Sequence, residues 1–331
     1  MADLVGIGTS FMDQLVNVPR VPQGNGGVRA DEVFYQGGGN VATAVAAAAR
    51  LGAGAGIIGR VGGDSTGDFL VRDFIYNGVD TSRILRGEKG SSSPYSIAIS
   101  ERDLGTRMFI VRRGTAAPLR PEDIDLDYIA AARVLHLETG DSASMAAAEF
   151  ARKRGITVTL DAGAYTEDRV NLIPLVDILI ASDMFYQGMF GEPGKKGETP
   201  EAGYRGNIEK LRAMGPRVVW VTRGAEGCVG TVEGEYLEVP TFDTPVTDTT
   251  GAGDVFHGAY IAAMLEGLPH GECARYANAV SSIKCMFVGG RTGIPNRETL
   301  ARFLKDGVVD TGEIEERLAY YRRSFPSFSA S

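Results

Sequence analysis

Histidine, cysteine and tryptophan are scarce in this chain of 331 residues, which contains three, three and one of them. The odd number of cysteines, none of them spaced like the pairs of a metal knuckle, is typical of a protein from a reducing compartment. The histidines are His136, His257 and His270. With so few of them, we do not expect a metal site built from histidines.

Long apolar runs and excess positive charge are also absent. No run of about 18 apolar residues occurs, so no membrane-spanning helix is expected. The N-terminus lacks the basic segment and long apolar core of a signal peptide, and Leu4–Gly8 is predicted to be a buried strand. The net charge is −8, the wrong sign for a protein that binds nucleic acid through phosphates. We therefore expect a cytoplasmic protein without a membrane or nucleic-acid partner.

Two common nucleotide-binding motifs are missing or out of context. No Gly-x-x-x-x-Gly-Lys-Ser/Thr occurs, which excludes a P-loop. Gly54–Gly59 matches the Gly-x-Gly-x-x-Gly pattern of dinucleotide-binding proteins, but that pattern requires a strand before it and a helix that starts within the glycines. Here a predicted helix precedes the glycines and a strand follows them. The context argues against a dehydrogenase.

Hydrophobic residues make up 44% of the sequence, enough for a large core. Strand and helix patterns alternate, which predicts a three-layer α/β/α fold with a mainly parallel central sheet. The predicted strands are Leu4–Gly8, Ala55–Arg60, Arg133–Leu137, Ile156–Leu160, Asp177–Ala181 and Arg217–Thr222, then a hairpin of Gly227–Thr231 and Glu235–Val239. The predicted helices are Val41–Leu51, Thr66–Tyr76, Ser142–Arg154, Tyr204–Met214, Gly253–Glu266 and Gly271–Phe287.

Two stretches interrupt this alternation, at about residues 13–36 and 93–113. They contain short β-like runs without a helix between them, which favours a small separate β-sheet acting as a lid. Two ordinary surface hairpins are the alternative. We expect these insertions to belong to a single domain of residues 1–305, followed by a tail of residues 306–331 that is partly helical.

The most informative stretch is Asp248-Thr249-Thr250-Gly251-Ala252-Gly253-Asp254, a polar loop that leads into a helix. Glycines at a helix start leave backbone N–H groups open, and with the positive helix end they form a site for an anion. Asp254 is unexpected in a simple phosphate site, because a carboxylate repels phosphate. It fits a base acting on a hydroxyl that then attacks a phosphoryl group. An acid that only favours the helix dipole is the alternative.

Further polar residues follow predicted strands at the edge where open α/β sheets bind ligands. Asp13 follows the first strand and Glu138 a later one, although a lone acid there is often a turn residue. Gly37-Gly38-Gly39-Asn40 opens the alanine-rich helix. Asn40 offers a donor and an acceptor to sugar hydroxyls, or simply caps the helix. Together with Asp254, these side chains would hold a polyol.

These motifs together resemble the ribokinase-like (PfkB-type) carbohydrate kinases over roughly residues 4–304. The resemblance is carried by Gly37–Asn40, Gly59–Asp64 with Gly67, Val221–Gly227, Asp248–Asp254, and Gly289-Gly290-Arg291 before Ile294-Pro295. It implies an ATP-dependent phosphotransferase with an alcohol acceptor and the fold of that family. It also implies a β lid that often serves for dimerisation, so we expect a homodimer.

The resemblance also implies roles for individual residues. Asp254 resembles the catalytic base. The anion hole that stabilises the transferring γ-phosphoryl group is matched by Gly251, Ala252 and Gly253. The sugar-holding positions are matched by Asp13, Gly38, Gly39, Asn40 and Glu138. The ATP-binding positions are matched by Thr222, Gly224, Gly227 and Asn278. Positions that help bind a potassium-type ion beside the anion hole are matched by Asp248 and Thr250.

One segment departs from the family pattern. Many relatives carry Asn-x-x-Glu after the strand that spans Asp177–Ala181 here, where it organises Mg²⁺, whereas this chain has Ser182-Asp183-Met184-Phe185. Ser182 and Asp183 could serve in part, but Phe185 cannot coordinate a cation. We therefore expect Mg²⁺ to be carried mainly by the ATP phosphates.

The sugar is less constrained than the reaction. A neutral ketose or pentose is the favoured substrate class. If Arg107, Arg112 or Arg113 of the predicted lid points inward, an acidic sugar such as 2-keto-3-deoxygluconate is favoured; otherwise these arginines are solvated. A nucleoside kinase of the same family and a non-catalytic sugar-binding regulator are the remaining alternatives. The retained Asp254 argues against the regulator.

Overall fold

The computed structural model describes residues 2–104, 106–194 and 199–324, without the side chains of residues 106 and 107. The strands are β1 (Leu4–Ile7), β2 (Phe11–Val18), β3 (Glu32–Gly38), β4 (Ala55–Gly63), β5 (Asp80–Lys89), β6 (Tyr95–Glu101), β7 (Thr106–Arg112), β8 (Val134–Leu137), β9 (Thr157–Ala162), β10 (Ile178–Ser182), β11 (Val218–Thr222), β12 (Cys228–Val232) and β13 (Glu235–Val239). The helices are α1 (Asn40–Arg50), α2 (Ser65–Tyr76), α3 (Leu126–Ala130), α4 (Ser142–Lys153), α5 (Glu167–Leu172), α6 (Asp183–Phe190), α7 (Pro200–Ala213), α8 (Ala252–Leu265), α9 (His270–Cys285), α10 (Arg297–Asp306) and α11 (Gly312–Arg323).

The larger sheet has nine strands in the order β13-β12-β11-β10-β9-β8-β1-β4-β5. The strands from β11 to β5 pair in parallel, while β12 and β13 pair antiparallel at one edge. The central strands are short runs of Val, Ile and Leu buried on both faces, as a helix-covered parallel sheet requires. The predicted three-layer α/β/α fold with a mainly parallel sheet is confirmed.

Helices cover both faces of this sheet and form two separate hydrophobic cores. On one face, α1 packs against α8, which packs against α9. Small side chains make this packing close: a Cβ added to Gly258 of α8 would collide with the carbonyl of Ala44 in α1. The alanine-rich composition of α1 therefore reflects the short distance to α8, the helix that carries Asp254.

The smaller sheet has four strands in the order β3-β2-β6-β7 and confirms the predicted separate β layer. The strand β2 was not predicted. Its buried residues, Met12, Leu15 and Val18, recur every third position rather than every second. That spacing resembles neither a half-buried strand nor a helix. The polar positions between them give β2 no recognisable sequence pattern.

The edge strand β5 was also absent from the sequence prediction. It pairs in parallel with β4 at the end of the larger sheet. Its sequence, DTSRILRGEK, is rich in charged residues, and most of its side chains are partly or fully exposed. Charged side chains are common on edge strands because they discourage pairing with other chains. A strand with so many charged residues lacks the alternating hydrophobic pattern by which strands are predicted.

The tail contains the helix α11, which packs against β3 of the smaller sheet. Its buried Arg317 donates hydrogen bonds to the carbonyl oxygens of Arg291 at 2.9 Å and Thr292 at 3.2 Å, and to Asn77 Oδ1 at 2.9 Å. The Ser- and Phe-rich residues 325–331 lie outside the described residues. None of the helices described has both the length and the apolar character that crossing a bilayer requires.

Candidate active site

Asp254 lies in the first turn of α8, whose N-cap is Gly251 with a left-handed φ of 70°. A Cβ added to Gly251 would lie 3.0 Å from the Cα of Gly290, so the two glycine loops pack against each other. A Cβ added to Gly253 would meet nothing within 4 Å, so this turn faces open space. The N–H of Ala252 donates to the Thr249 carbonyl at 3.2 Å, a long hydrogen bond. The start of α8 is therefore an open helix N-terminus suited to an anion.

Several carboxyl groups gather near this helix start. Burial raises the pKa of Asp254 to about 7, and the negative charge of Asp161 adds to the increase while His257 opposes it. Burial likewise raises the pKa of Glu138 to about 7 and the pKa of Asp13 to about 6. A carboxyl group with a pKa near neutrality is suited to accept a proton from a hydroxyl group.

Glu138 connects the end of β8 with the start of α1. Its carboxylate accepts hydrogen bonds from the Thr9 N–H at 2.7 Å and the Val41 N–H at 3.1 Å. Gly39 is the N-cap of α1 with a φ of 99°, and a Cβ there would collide with the Thr9 carbonyl. Asn40 is therefore the first helical residue and not the cap, so the capping alternative does not hold. Its side chain stands at the same sheet edge as Glu138.

Asp13 lies in β2, at the base of the smaller sheet. It accepts a hydrogen bond from Ser96 Oγ of the neighbouring β6 at 2.6 Å. A Cβ added to Gly38 would collide with the Asp13 carboxylate. The glycine at this position thus lets the Asp13 carboxylate approach the backbone at the start of α1. The smaller sheet therefore contributes a polar group to the edge that also carries Asn40 and Glu138.

A cavity of about 570 Å³ reaches the N-terminus of α8. This volume is typical of small-molecule sites. The four predicted ATP-binding residues all line it, together with Ala252 and Gly253; they are Thr222, Gly224, Gly227 and Asn278. The side-chain amide of Asn278 donates to the carbonyl oxygens of Val239 and Pro240, each at 3.1 Å, so Asn278 shapes the wall of the cavity.

The predicted monovalent-cation residues, Asp248 and Thr250, lie beside a buried lysine. The Asp248 carboxylate accepts hydrogen bonds from the Thr250 N–H at 2.8 Å, the Thr250 hydroxyl at 2.7 Å and the Gly289 N–H at 2.7 Å. The fully buried Lys284 donates to the Asp248 carbonyl oxygen at 2.7 Å. Burial alone would raise the pKa of Asp248, but Lys284 and these hydrogen bonds outweigh it and lower that pKa. Lys284 of α9 therefore places a positive charge against this loop.

The residues in place of Asn-x-x-Glu have structural partners. Ser182 caps α6 by accepting the Phe185 N–H at 3.1 Å, and its hydroxyl donates to the Gly163 carbonyl. The Asp183 carboxylate accepts from the Tyr204 hydroxyl at 2.8 Å and from Gln187 Nε2 at 2.6 Å. Both oxygens of Asp183 are thus engaged within the fold. These residues do not fit a direct Mg²⁺ site.

A cavity of about 500 Å³ lies between the base of the smaller sheet and the larger sheet. Glu138, Arg60 and Arg113 are among its lining residues. Arg60 forms a salt bridge with Asp123, with 2.9 Å between Arg60 Nη2 and Asp123 Oδ2. Of the other arginines considered for substrate selection, Arg112 lies over a tyrosine ring of β6, and the side chain of Arg107 lies outside the described residues.

A buried cluster next to Asp254 was not predicted from the sequence. His136 of β8, Asp161 of β9 and His257 of α8 come together, and His257 Nε2 lies 3.3 Å from Asp161 Oδ1. The small number of histidines had argued against such a cluster. Only the spacing of His257, one helical turn after Asp254, could have indicated that it points toward the site.

Comparison with known proteins agrees with the geometry. A family model described as "pfkB family carbohydrate kinase" matches residues 1–297. The chain is 29% identical over 310 residues to the ATP-dependent ribose-1-phosphate kinase of Halopiger xanaduensis, covering 92% of this chain and 99% of the relative. It is 27% identical over 313 residues to a ribokinase of Arabidopsis thaliana, covering 91% of this chain and 81% of the relative. The structure of Arabidopsis thaliana ribokinase complexed with ribose and ATP is similar with a TM-score of 0.78 and 26% identity, covering 92% of this chain and 99% of that one.

Proposed function

Since this chain belongs to the pfkB family of carbohydrate kinases, we propose that it transfers the γ-phosphoryl group of ATP to a hydroxyl group of a small sugar, most simply a pentose or ketose. The observation that carries the proposal is the position of Asp254. Its carboxyl group lies at an open helix N-terminus that borders the 570 Å³ cavity, and its pKa is raised to about 7. A base and an anion site therefore meet at one point.

In the proposed reaction, Asp254 takes the proton of the sugar hydroxyl while that oxygen attacks the γ-phosphorus of ATP, and ADP leaves. The transition state places negative charge on the phosphoryl oxygens, which the start of α8 stabilises through the backbone of Gly251, Ala252 and Gly253. Asp13, Asn40 and Glu138 hold the sugar. Positioning and charge stabilisation supply most of the rate in phosphoryl transfer, so little covalent chemistry is required of the protein.

We propose that two charges in this site come from different sources. Mg²⁺ enters on the ATP phosphates, because the Ser182–Phe185 segment supplies no oriented carboxylate for it. Lys284 takes the place of the potassium-type ion at Asp248 and Thr250, because its ammonium group already contacts the Asp248 carbonyl. The second proposal takes the place of the potassium-type ion that the family resemblance implied at these two residues, and it is tested below.

The overall reaction can be tested by ADP release from ATP and Mg²⁺ over a panel of acceptors. The panel contains ribose, fructose, ribose 1-phosphate, 2-keto-3-deoxygluconate, adenosine and inosine. We expect turnover on a pentose or ketose. Faster turnover on adenosine or inosine than on any sugar would show that the protein is a nucleoside kinase. Tight sugar binding by calorimetry without turnover on any acceptor would refute the kinase and support a sugar-binding regulator.

A second substrate class, an acidic sugar, is favoured by Arg113. This arginine lines the same cavity as Glu138, and guanidinium groups bind carboxylate and phosphate oxygens. If an acceptor of the panel is anionic, Arg113→Gln should lower its kcat/KM by about 10–100-fold, the effect of losing one charged hydrogen bond. The kcat/KM for neutral sugars should change little.

The neighbouring Arg112 provides the matched control for this substitution, because it stacks on a ring of β6 and does not line that cavity. Arg112→Gln should leave both classes of acceptor unchanged. An equal loss on neutral and anionic sugars in Arg113→Gln would show that Arg113 serves the fold of the lid instead of selecting an anion.

We propose that the chain forms a homodimer through the smaller sheet. The strand β7 is last in the order of that sheet and carries four consecutive exposed apolar residues, Met108, Phe109, Ile110 and Val111. Such an edge pairs readily with another strand. We expect a dimer by light scattering coupled to size-exclusion chromatography, and a monomer for Ile110→Lys. Ile75→Lys, at an equally exposed position on α2, should stay dimeric. A wild-type monomer at micromolar concentration would contradict this proposal.

We further propose that residues 1–305 form the catalytic domain, that the segments at 13–36 and 93–113 close over the sugar as a lid, and that residues 306–331 are an appended tail. The lid proposal is supported by Asp13, which belongs to both the smaller sheet and the sugar site. None of the three buried cysteines forms a disulfide, which fits a reducing compartment such as the cytoplasm.

A further inference from the structure

A second cluster of ionisable side chains lies one helical turn from Asp254. His257 of α8 meets two residues of neighbouring strands, His136 of β8 and Asp161 of β9. His257 Nε2 is 3.3 Å from Asp161 Oδ1, and the two imidazole rings are 5.3 Å apart between centroids. One nitrogen of each histidine and one oxygen of Asp161 lie within 4.8 Å of one another. The cluster joins the catalytic helix to the centre of the larger sheet.

All three side chains are more than nine-tenths buried, and each has an atom without a partner. These atoms are His136 Nε2, Asp161 Oδ2 and His257 Nδ1. Buried polar atoms in proteins are nearly always paired, so three orphan atoms in one cluster require an explanation. A bound ion or an ordered water molecule supplies the missing contacts.

The hydrogen bonds of the cluster favour the forms that bind metals. The Thr159 hydroxyl donates to the Leu135 carbonyl at 3.4 Å, so it accepts from His136 Nδ1 at 2.8 Å. With the proton on Nδ1, the lone pair of His136 is on Nε2, the unpartnered atom. A neutral imidazole fixed in one tautomer by a neighbouring oxygen is the usual state of a metal-binding histidine.

We propose that His136, Asp161 and His257 bind one divalent transition-metal ion of the zinc type. Two imidazole nitrogens and one carboxylate oxygen suit Zn²⁺ or Co²⁺, whereas Mg²⁺ prefers oxygen ligands alone. One nitrogen of each histidine and one oxygen of Asp161 already lie within 4.8 Å of one another, so small side-chain movements bring them to metal–ligand bonds of about 2.0–2.1 Å. Three protein ligands leave a fourth position for water. The ion ties the start of α8 to β8 and β9, and it is separate from the Mg²⁺ that accompanies ATP.

This inference does not depend on the proposed reaction, and its test does not use turnover. Protein stripped with a chelator is titrated with Co²⁺ in the absence of ATP, Mg²⁺ and sugar, and binding is measured by visible absorption and calorimetry. We expect one Co²⁺ per chain with the intense absorption of a tetrahedral site. His257→Gln and Asp161→Asn should weaken binding by more than about 100-fold, beyond the 10–100-fold typical of changes outside the ligand shell.

The third histidine of the chain provides the matched control. His270 shares a hydrogen bond with the Tyr260 hydroxyl at 2.7 Å and is not part of the cluster. His270→Gln should bind Co²⁺ like the wild type. Circular dichroism establishes that each variant is folded, and Asp161→Asn, which keeps the side-chain shape, decides the question if His257→Gln is unfolded. Absence of stoichiometric Co²⁺ binding by the wild type, or wild-type binding by the folded Asp161→Asn variant, would overturn the proposal.

Discussion

Asp254→Asn should keep the fold and the binding of ATP but lose about 10²–10⁴-fold in kcat, the usual effect of removing a positioned base. The amide has the same shape as the carboxylate and cannot accept the proton. Stability should not fall, because burial and the neighbouring acidic groups both raise the pKa of Asp254 and so disfavour its charged form. The measurements are kcat from ADP release, nucleotide affinity from calorimetry and thermal unfolding.

The pH dependence of the wild type gives an independent check. Because the pKa of Asp254 is raised to about 7, its carboxyl group is protonated below that pH and cannot act as a base. The kcat/KM should therefore rise as the pH increases through about 7, measured on metal-free protein to which only Mg²⁺ and ATP are added. The residual rate of Asp254→Asn should lack this rise. If the rise persists, Glu138, whose pKa is also about 7, is the titrating group. A near-normal kcat in Asp254→Asn would refute the role of Asp254 as the catalytic base.

Local chemistry explains why much of the proposed site could be predicted. The loop from Asp248 to Asp254 signals a helix start and an anion site within seven residues. Asn40 follows three glycines, and Glu138 follows a strand. Parallel strands bring their carboxyl ends to a common edge of the sheet, which is where such residues meet. The sequence could not show that Gly39, and not Asn40, caps α1. That distinction depends on the contact between Gly39 and Thr9, which belongs to another element.

Long-range packing explains what the sequence did not reveal. The strand β2 has no alternating pattern, because its buried side chains pack into two different clusters, Met12 against α2 and Leu15 against Phe34 and Tyr321. His136, Asp161 and His257 are unremarkable within their own segments, and only strand pairing and the packing of α8 bring them together. Lys284 likewise ends an ordinary helical pattern, yet it contacts the carbonyl of Asp248, 36 residues earlier. A buried charge is visible only when its partner is known.

Lys284→Met should abolish most of the activity, because it removes the buried positive charge that contacts the loop before the anion hole. Methionine fills a similar volume, so the loss is mainly electrostatic. We expect kcat to fall on the order of 10²–10³-fold, comparable to losing a preorganised charge-stabilising group. The free energy of unfolding should fall by about 3–5 kcal/mol, because the Asp248 carboxylate remains buried without its counter-charge. Steady-state kinetics and denaturant unfolding measure the two effects.

Ion dependence shows whether the ammonium group of Lys284 replaces a potassium-type ion. The wild type should turn over equally fast in Na⁺ and K⁺ at the same ionic strength. Lys284→Ala leaves space next to the Asp248 carbonyl, and K⁺ or NH₄⁺ should restore part of its activity where Na⁺ does not. Lys305→Met, an exposed lysine of α10, serves as the control and should match the wild type. A wild type that requires K⁺ would contradict this role. If the ammonium group of Lys284 already supplies the positive charge at this site, the enzyme needs no added K⁺.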